Sequence, residues 1–285
     1  MITVLHSDKL PQTFPEVFKT VKTTLNQYGF AYREISGTRD IWCRDYMPVR
    51  AADGSLVQFV YWPRYLRDKQ SAKLITPPTC CQKILGQIPI KESVIILDGG
   101  GVEIHGSTGI VTERLLEDNY WYDRDEFVEK IRATLRLDKL IVIPVEPGDE
   151  TGHVDGVVRF VGEGRVVMND YTQLPIKGAH QSETYGRKVE RILKQNDLRI
   201  EKLVYAPTDN PGSGGMPPAI GCYINFFRVD NLLLLPQFGL REDALALSGC
   251  KQIFGEGVTV ETVDCSDLAW NGGVLNCVSW LLNNS

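Results

Sequence analysis

The chain has 285 residues, of which 43% are hydrophobic and 24% are charged, the composition of a globular protein with a substantial core. This composition excludes a disordered chain, and no apolar run reaches membrane-spanning length. The formal charge is -5 and the Lys and Arg residues are dispersed, which argues against nucleic acid as the main partner. Because the N-terminus lacks the basic and apolar segments of a secretory signal, we expect a cytoplasmic protein without membrane contact.

Helices and strands alternate along the chain. Amphipathic spacing of apolar residues predicts helices over residues 15–28, 124–135 and 182–196. Short runs rich in β-branched residues predict strands over residues 57–61, 94–97, 109–112, 139–145, 157–161, 165–168, 232–235 and 258–263. Pairs of strands are separated by glycine-containing turns and followed by a helix, which indicates a repeating strand-strand-helix-strand unit and an α/β fold. The loop over residues 208–218 is rich in Gly, Ser and Pro, and we treat it as a candidate active-site flap.

The seven cysteines form an odd number without the spacing of a disulfide framework or a metal knuckle, so reduced thiols are expected. Burial as small apolar side chains explains Cys222, Cys250 and Cys265, and also suits the adjacent pair Cys80 and Cys81.

Four clusters contain residues that could take part in catalysis. Asp40-Ile41-Trp42-Cys43-Arg44-Asp45 precedes a strand-like segment, and Leu97-Asp98-Gly99-Gly100-Gly101 closes one. His153-Val154-Asp155 stands at the head of the 157–161 run, where strand alternation predicts that both polar side chains share a face. The fourth cluster, Asn271-Gly272-Gly273-Val274-Leu275-Asn276-Cys277, places a thiol after a diglycine.

Each cluster also has a simpler structural explanation when it is taken alone. A solvated turn with a local ion pair would account for the first cluster. A histidine satisfied by a turn would account for the third, and a buried thiol for the fourth. The glycines of the second cluster allow close backbone approach, but neither a GxGxxG pattern nor a helix follows them, so nucleotide binding has little support.

Taken in order, the clusters resemble the agmatine deiminase and bacterial-type peptidylarginine deiminase family of guanidino-group-modifying enzymes. The resemblance also includes Tyr223-Ile224-Asn225-Phe226 and Leu235-Pro236-Gln237-Phe238-Gly239, and it spans most of the chain. It implies a five-bladed, pseudo-symmetric α/β propeller (pentein) of strand-strand-helix-strand modules, with residues 1–285 forming one catalytic domain.

The resemblance also assigns roles to individual residues. It implies that Cys277 is the nucleophile, that His153 is the general acid and base, and that Asp98 orients His153. Asp45 and Asp155 would grip the substrate guanidinium, with Trp42 and Arg44 as further substrate-binding residues. Relatives usually have Glu at the position of Asp98 and His at that of Asn276, so the chain departs from the family at both positions.

The implied reaction is the hydrolysis of a small cationic guanidine through a covalent thiouronium on Cys277. The favoured substrate is agmatine, which would give N-carbamoylputrescine and ammonia, and no metal or organic cofactor is required. Another guanidine substrate such as arginine or an arginyl peptide, an amidinotransferase reaction, and a non-catalytic propeller module remain alternatives. A papain-like protease is disfavoured because His153 precedes Cys277 in the chain.

Overall fold

The computed structural model describes residues 2–172, 174, 179–213 and 216–283, with only the backbone described at 179, 180 and 283. Within these residues, fifteen strands form five separate three-stranded sheets. Each sheet, with its helix or helices, is one module. The strands of modules I to V, in that order, are β3 (Val49–Arg50), β4 (Leu56–Val60), β5 (Ile90–Ile96); β6 (Val102–His105), β7 (Thr108–Thr112), β8 (Lys139–Ile143); β9 (Val158–Gly162), β10 (Arg165–Asp170), β11 (Arg199–Val204); β12 (Phe227–Val229), β13 (Leu232–Gln237), β14 (Thr259–Asp264); and β15 (Trp280–Asn283), β1 (Ile2–Ser7), β2 (Ala31–Ile35).

The helices lie mostly in the crossovers of these modules. The α-helices are α1 (Leu10–Thr13), α2 (Pro15–Gln27), α3 (Cys43–Tyr46), α4 (Thr79–Leu85), α5 (Glu113–Asp118), α6 (Arg124–Leu135), α7 (Ala179–Gln195), α8 (Asp243–Phe254) and α9 (Ser266–Ala269). Four short 3-10 helices lie wholly within the described residues and span Arg64–Leu66, Ser71–Leu74, Gly99–Gly101 and Val154–Gly156. No helix in the described part of the chain is long and apolar enough to cross a membrane.

All five modules have the same topology. The first strand pairs antiparallel with the middle strand, and the third strand pairs parallel with the middle strand. A parallel pair needs a crossover, and here each crossover contains at least one helix. Module V joins the two ends of the chain, because β15 pairs with β1 and β1 pairs with β2. The five-bladed α/β propeller implied by the resemblance is thereby confirmed.

Local sequence accounts for the elements that were predicted most accurately. Helix α6 has the predicted bounds, since apolar residues repeat along one buried face and Asp123 caps its N-terminus by accepting from two backbone N–H groups. Strand β13 is buried along its whole apolar run, because it is the middle strand of its sheet.

One local prediction was wrong. His153 and Asp155 do not lie on a strand, because residues Val154–Gly156 form a 3-10 turn and β9 begins only at Val158. Gly99–Gly101 themselves form one 3-10 turn, and strand β6 follows them directly, so no helix opens after the glycines, as predicted.

Candidate active site

The candidate site lies where successive modules connect. Five connections lead into the first strands of the modules, and each connection carries a polar side chain of the candidate site. They are Asp45 before β3, Asp98 before β6, His153 before β9, Asn225 before β12 and Cys277 before β15. The repeated topology therefore gathers residues that are far apart in sequence.

Asp45 is held by backbone contacts at the short helix α3. The backbone N–H of Arg44 donates to the carbonyl of Cys277 at 3.0 Å, which ties α3 to the segment that carries Cys277. The N–H of Gly100 donates to Asp45 Oδ1, also at 3.0 Å. Asp45 is 5% exposed, so its orientation is fixed by the protein.

The glycines after Asp98 allow this close packing. A Cβ atom at Gly100 would lie 2.8 Å from His153 Nδ1 and 2.9 Å from Asp45 Oδ1. At Gly99, a Cβ atom would collide with the backbone carbonyl of Arg44. The glycine run thus serves backbone approach, as the sequence suggests.

His153 lies between two carboxylates. Its Nε2 is 3.2 Å from Asp98 Oδ2, and its Nδ1 is 3.7 Å from Asp45 Oδ1. Asp98 Oδ1 is buried and has no hydrogen-bond partner among the described residues. Asp98 therefore contacts one edge of the imidazole, and Nδ1 on the other edge faces Asp45.

Cys277 is buried, with 7% of its surface exposed. Its Sγ donates to Asn225 Oδ1 at 3.4 Å. Gly273 leaves room for it, since a Cβ atom there would lie 3.1 Å from Sγ and 2.7 Å from the ring of Trp42. Trp42 and Cys277 thus both pack against the space that Gly273 leaves free.

Asn276 connects the site to Arg44. Its Nδ2 donates to Asp155 Oδ2 at 2.6 Å, and its Oδ1 accepts from Arg44 NH2 at 3.2 Å. Asp155 is 2% exposed, and the amide of Asn276 fixes the orientation of its carboxylate. The Arg44 side chain lies beyond Asn276 and lines a different cavity.

Two cavities meet at the thiol and the imidazole. The first, of about 310 Å³, and the second, of about 220 Å³, share Thr151, His153, Gly272 and Cys277. Carboxylates line both of them: Asp40 and Asp45 in the first, and Glu146, Asp149 and Asp155 in the second. Neither cavity has a Lys or Arg side chain among its described lining residues.

This excess of acid shifts the pKa values of the site. Burial, together with Asp98 and Asp155, raises the pKa of Asp45 to about 7 despite the opposing effect of His153. Burial raises the pKa of Asp40 to about 7 as well, and burial with Asp149 raises that of Glu146 to about 8. The site is therefore short of positive charge.

Residues of the predicted site fall into two groups. Cys277, His153, Asp98, Asp45, Asp155 and Trp42 converge on the two cavities or on the imidazole. Arg44 does not reach either cavity.

Asn225 has a polar contact to the thiol that sequence reasoning did not assign. The sequence feature that could have indicated this residue is its motif Tyr223-Ile224-Asn225-Phe226, which is part of the family resemblance. Asn276 was noted only as a departure from the family.

The remaining histidines lie elsewhere. The exposed His105 stacks on Phe160, and the buried His6 contacts Phe18 and Tyr32. The side chain of His180 is outside the described part. Among the described residues, no three His, Cys, Asp or Glu side chains are arranged to hold a metal ion.

A thiol, an imidazole and paired carboxylates at the centre of a five-bladed α/β propeller define the class of guanidino-group-modifying enzymes. The family model of Porphyromonas-type peptidyl-arginine deiminases matches residues 13–282, so the chain belongs to this family.

Among sequence relatives, the agmatine deiminase of Ectopseudomonas mendocina is 27% identical over 92% of this chain and 79% of its own length. Among solved structures, C. jejuni agmatine deiminase superposes with a TM-score of 0.78 at 15% identity, covering 98% of this chain and 92% of that one. The agmatine deiminase of Enterococcus faecalis has a TM-score of 0.73 at 18% identity, with the same coverage. These structures share the fold of this protein.

Proposed function

We propose that this protein hydrolyses agmatine to N-carbamoylputrescine and ammonia. One observation carries the proposal: carboxylates line both cavities at Cys277, and no described lining residue is Lys or Arg. The names of its sequence relatives agree with this substrate.

The charge of the cavities selects among guanidine compounds. Agmatine carries a guanidinium at one end and an ammonium at the other, so both ends are attracted by acidic walls. Free arginine adds a carboxylate beside its ammonium, and in these cavities that carboxylate would be desolvated without a cationic partner. The acidic lining therefore favours agmatine over arginine.

Asp45 and Asp155 are suited to orient the guanidinium. This group is planar with five N–H donors, and two carboxylates can bind its edges and hold its central carbon near Sγ. Fixing that carbon opposite the thiol converts binding energy into proximity.

The substrate itself supplies the charge that activates the thiol. Burial and the charges of Asp155 and Asp45 raise the pKa of Cys277 well above its usual range. A bound guanidinium offsets both carboxylates, so the thiol releases its proton to solvent and the thiolate forms when substrate is present.

His153 acts as the acid and then as the base. Burial lowers its pKa, but Asp45 and the hydrogen bond to Asp98 outweigh burial and raise the pKa to about 10, so the ring is protonated at neutral pH. The thiolate adds to the guanidinium carbon, and Nδ1 protonates one nitrogen, which leaves as ammonia. A water activated by the same imidazole then adds to the thiouronium carbon, the C–S bond breaks, and the thiol is regenerated.

A panel of guanidines tests the proposal through ammonia release. We expect the highest kcat/KM with agmatine, and much lower values with arginine and an arginyl peptide. 1-Butylguanidine keeps the guanidinium and the carbon chain but lacks the ammonium, so it measures the effect of the second charge. Equal or better turnover of arginine would refute the substrate assignment, and amidino transfer to an amine in place of ammonia release would refute the hydrolase assignment.

We also propose that residues 1–285 act as one cytoplasmic catalytic domain without a metal. Side chains from all five module connections support a single domain, and the free cysteines of the described chain suit a reducing compartment. Activity should survive exhaustive chelation, and its loss, with recovery on adding zinc or iron, would contradict the proposed mechanism.

A further inference from the structure

A third cavity, of about 290 Å³, shares no lining residue with the two cavities at Cys277. Strands β3, β6, β9, β12 and β15 all contribute to its walls, and these are the first strands of the five modules. The cavity therefore lies on the axis around which the modules are arranged. We call it the axial cavity.

The second residue of each first strand lines the axial cavity. Around the ring these residues are Arg50, Glu103, Arg159, Arg228 and Leu281. Arg44, from α3, adds a fourth guanidinium to the wall. Four arginines and one glutamate thus surround a single cavity in a chain whose formal charge is -5.

Three of the four arginines of the axial cavity form no ion pair with a described carboxylate. Arg159 Nε pairs with Glu103 at 2.5 Å, which uses the one acid of the ring. Within the described residues, Arg44, Arg50 and Arg228 have no carboxylate at ion-pairing distance. Arg50 donates to the carbonyl of Gly54, and Arg228 to that of Asp230.

We infer that the axial cavity binds a small oxyanion, a phosphate or a carboxylate, between the guanidinium groups of the ring. Guanidinium forks match both kinds of oxyanion, and they remain charged when half-buried. An anion there would compensate three positive charges that are gathered in one cavity and that form no ion pair with a described carboxylate.

The side chain of Asn276 connects the axial cavity to the carboxylate of Asp155. Arg44 binds Asn276, and Asn276 binds Asp155. An anion held by Arg44 therefore lies behind a carboxylate that, in the proposed function, holds the substrate. A direct binding measurement keeps the test independent of turnover, so failure of one proposal is not failure of the other.

Isothermal titration calorimetry tests the inference with the full chain in a buffer free of oxyanions. Inorganic phosphate and malonate are titrated separately, which distinguishes the two oxyanion classes. We expect saturable one-site binding of at least one of them. Arg50→Gln and Arg228→Gln should each raise its Kd by about tenfold or more, because a charge-assisted pair is lost. The matched controls Arg124→Gln and Arg241→Gln each remove one exposed charge and should leave the Kd unchanged.

A second pair of variants covers the case in which an arginine variant fails to fold. Leu281→Glu adds a carboxylate to the ring and should abolish binding, whereas the neutral Leu281→Gln should keep it. Thermal unfolding verifies that each variant is folded. Absence of saturable binding by both anions, or equal affinity in the ring variants and their controls, would overturn the inference.

Discussion

At the scale of single residues, His153 is the positive charge among the carboxylates at Cys277. Its pKa of about 10 keeps it protonated, while the pKa of Cys277 lies well above its usual range. The resting pair is therefore a thiol and an imidazolium. Since the two groups interact, their titration belongs to the pair.

The pH dependence of kcat/KM follows from these shifts. In the proposed function Asp45 holds the guanidinium as a carboxylate, and burial raises its pKa to about 7, so kcat/KM should fall as pH drops below about 7. Above about pH 10, His153 loses the proton that the leaving nitrogen needs, so kcat/KM should fall again. Initial rates with agmatine across this range measure both limbs, and a profile that keeps rising toward acid pH would contradict the assignment of Asp45.

Asn276 should affect substrate binding through Asp155. Asn276→Ala removes a buried hydrogen bond to a carboxylate, a contribution of about 1.5–3 kcal/mol, so kcat/KM for agmatine should fall roughly 10- to 100-fold. Asn119→Ala is a matched control, because Asn119 is equally buried and binds only backbone groups outside both cavities. If both variants lose stability but keep the same kcat/KM, Asn276 does not position Asp155.

The sequence pointed to the polar residues of the site but not to all of their partners. Cys277, His153 and the aspartates stand out because their types and order resemble a known family. Asn225 and Asn276 are ordinary amides in sequence. Their roles come from contacts across 52 and 121 residues, to Cys277 and Asp155 respectively, which no local pattern reveals.

At the scale of elements, the short turns before the first strands β6 and β9 position polar side chains of the site. The turn Gly99–Gly101 lies against Asp45 and His153, and the turn Val154–Gly156 carries Asp155. The Gly99–Gly101 turn leaves little space for added atoms.

Gly100→Ala tests that packing. The added methyl group would contact His153 Nδ1 and Asp45 Oδ1, so we expect a loss of about 1–3 kcal/mol in the free energy of unfolding and a larger relative loss of kcat. Gly257→Ala is the control, because nothing lies within 4 Å of its Cβ position. Denaturant titration measures the free energy of unfolding, and ammonia release measures kcat. A wild-type kcat in Gly100→Ala would show that the turn does not need glycine.

Elements were predictable where local pattern and burial agree. Helix α6 and strand β13 have strong periodicity or a long apolar run. Strand β12 has three residues and β3 has two, so neither has enough length for a pattern, and both depend on pairing with their neighbours. The 3-10 turn after His153 was missed because its three residues, Val154–Gly156, directly precede a β-branched run and so resemble the start of that strand.

At the scale of the whole molecule, the ring of five modules concentrates negative charge at the two cavities and positive charge at the axial cavity. The repeated order strand-strand-helix-strand is visible in the sequence. The sequence does not show residues that the modules have in common. The order in which they close into a ring, and hence the gathering of site residues, became an expectation only through the family resemblance.

This distribution of charge makes stability depend on pH. The native protein holds protons on Asp40, Asp45 and Glu146 to pH values near 7 to 8, and on His153 to about 10, whereas the unfolded chain releases them earlier. These groups therefore stabilise the fold below their unfolded pKa values, and that stabilisation is lost as pH rises through the folded ones.

The melting temperature of the ligand-free protein should accordingly fall between about pH 5 and pH 10. Agmatine should reduce the fall, because a bound dication compensates the carboxylates. Glu146→Gln should flatten the curve between about pH 5 and pH 8. A melting temperature that rises over this range would contradict the account of the site as short of positive charge.

The most direct test of the central claim is the mass of the protein quenched with acid during turnover of agmatine. We predict an adduct with the mass of agmatine less ammonia on the peptide that contains Cys277, formed as ammonia is released. Cys277→Ala should show neither adduct nor turnover, while the buried-thiol control Cys265→Ala should show both. Ammonia release that continues in Cys277→Ala, or an adduct on a different residue, would contradict the account.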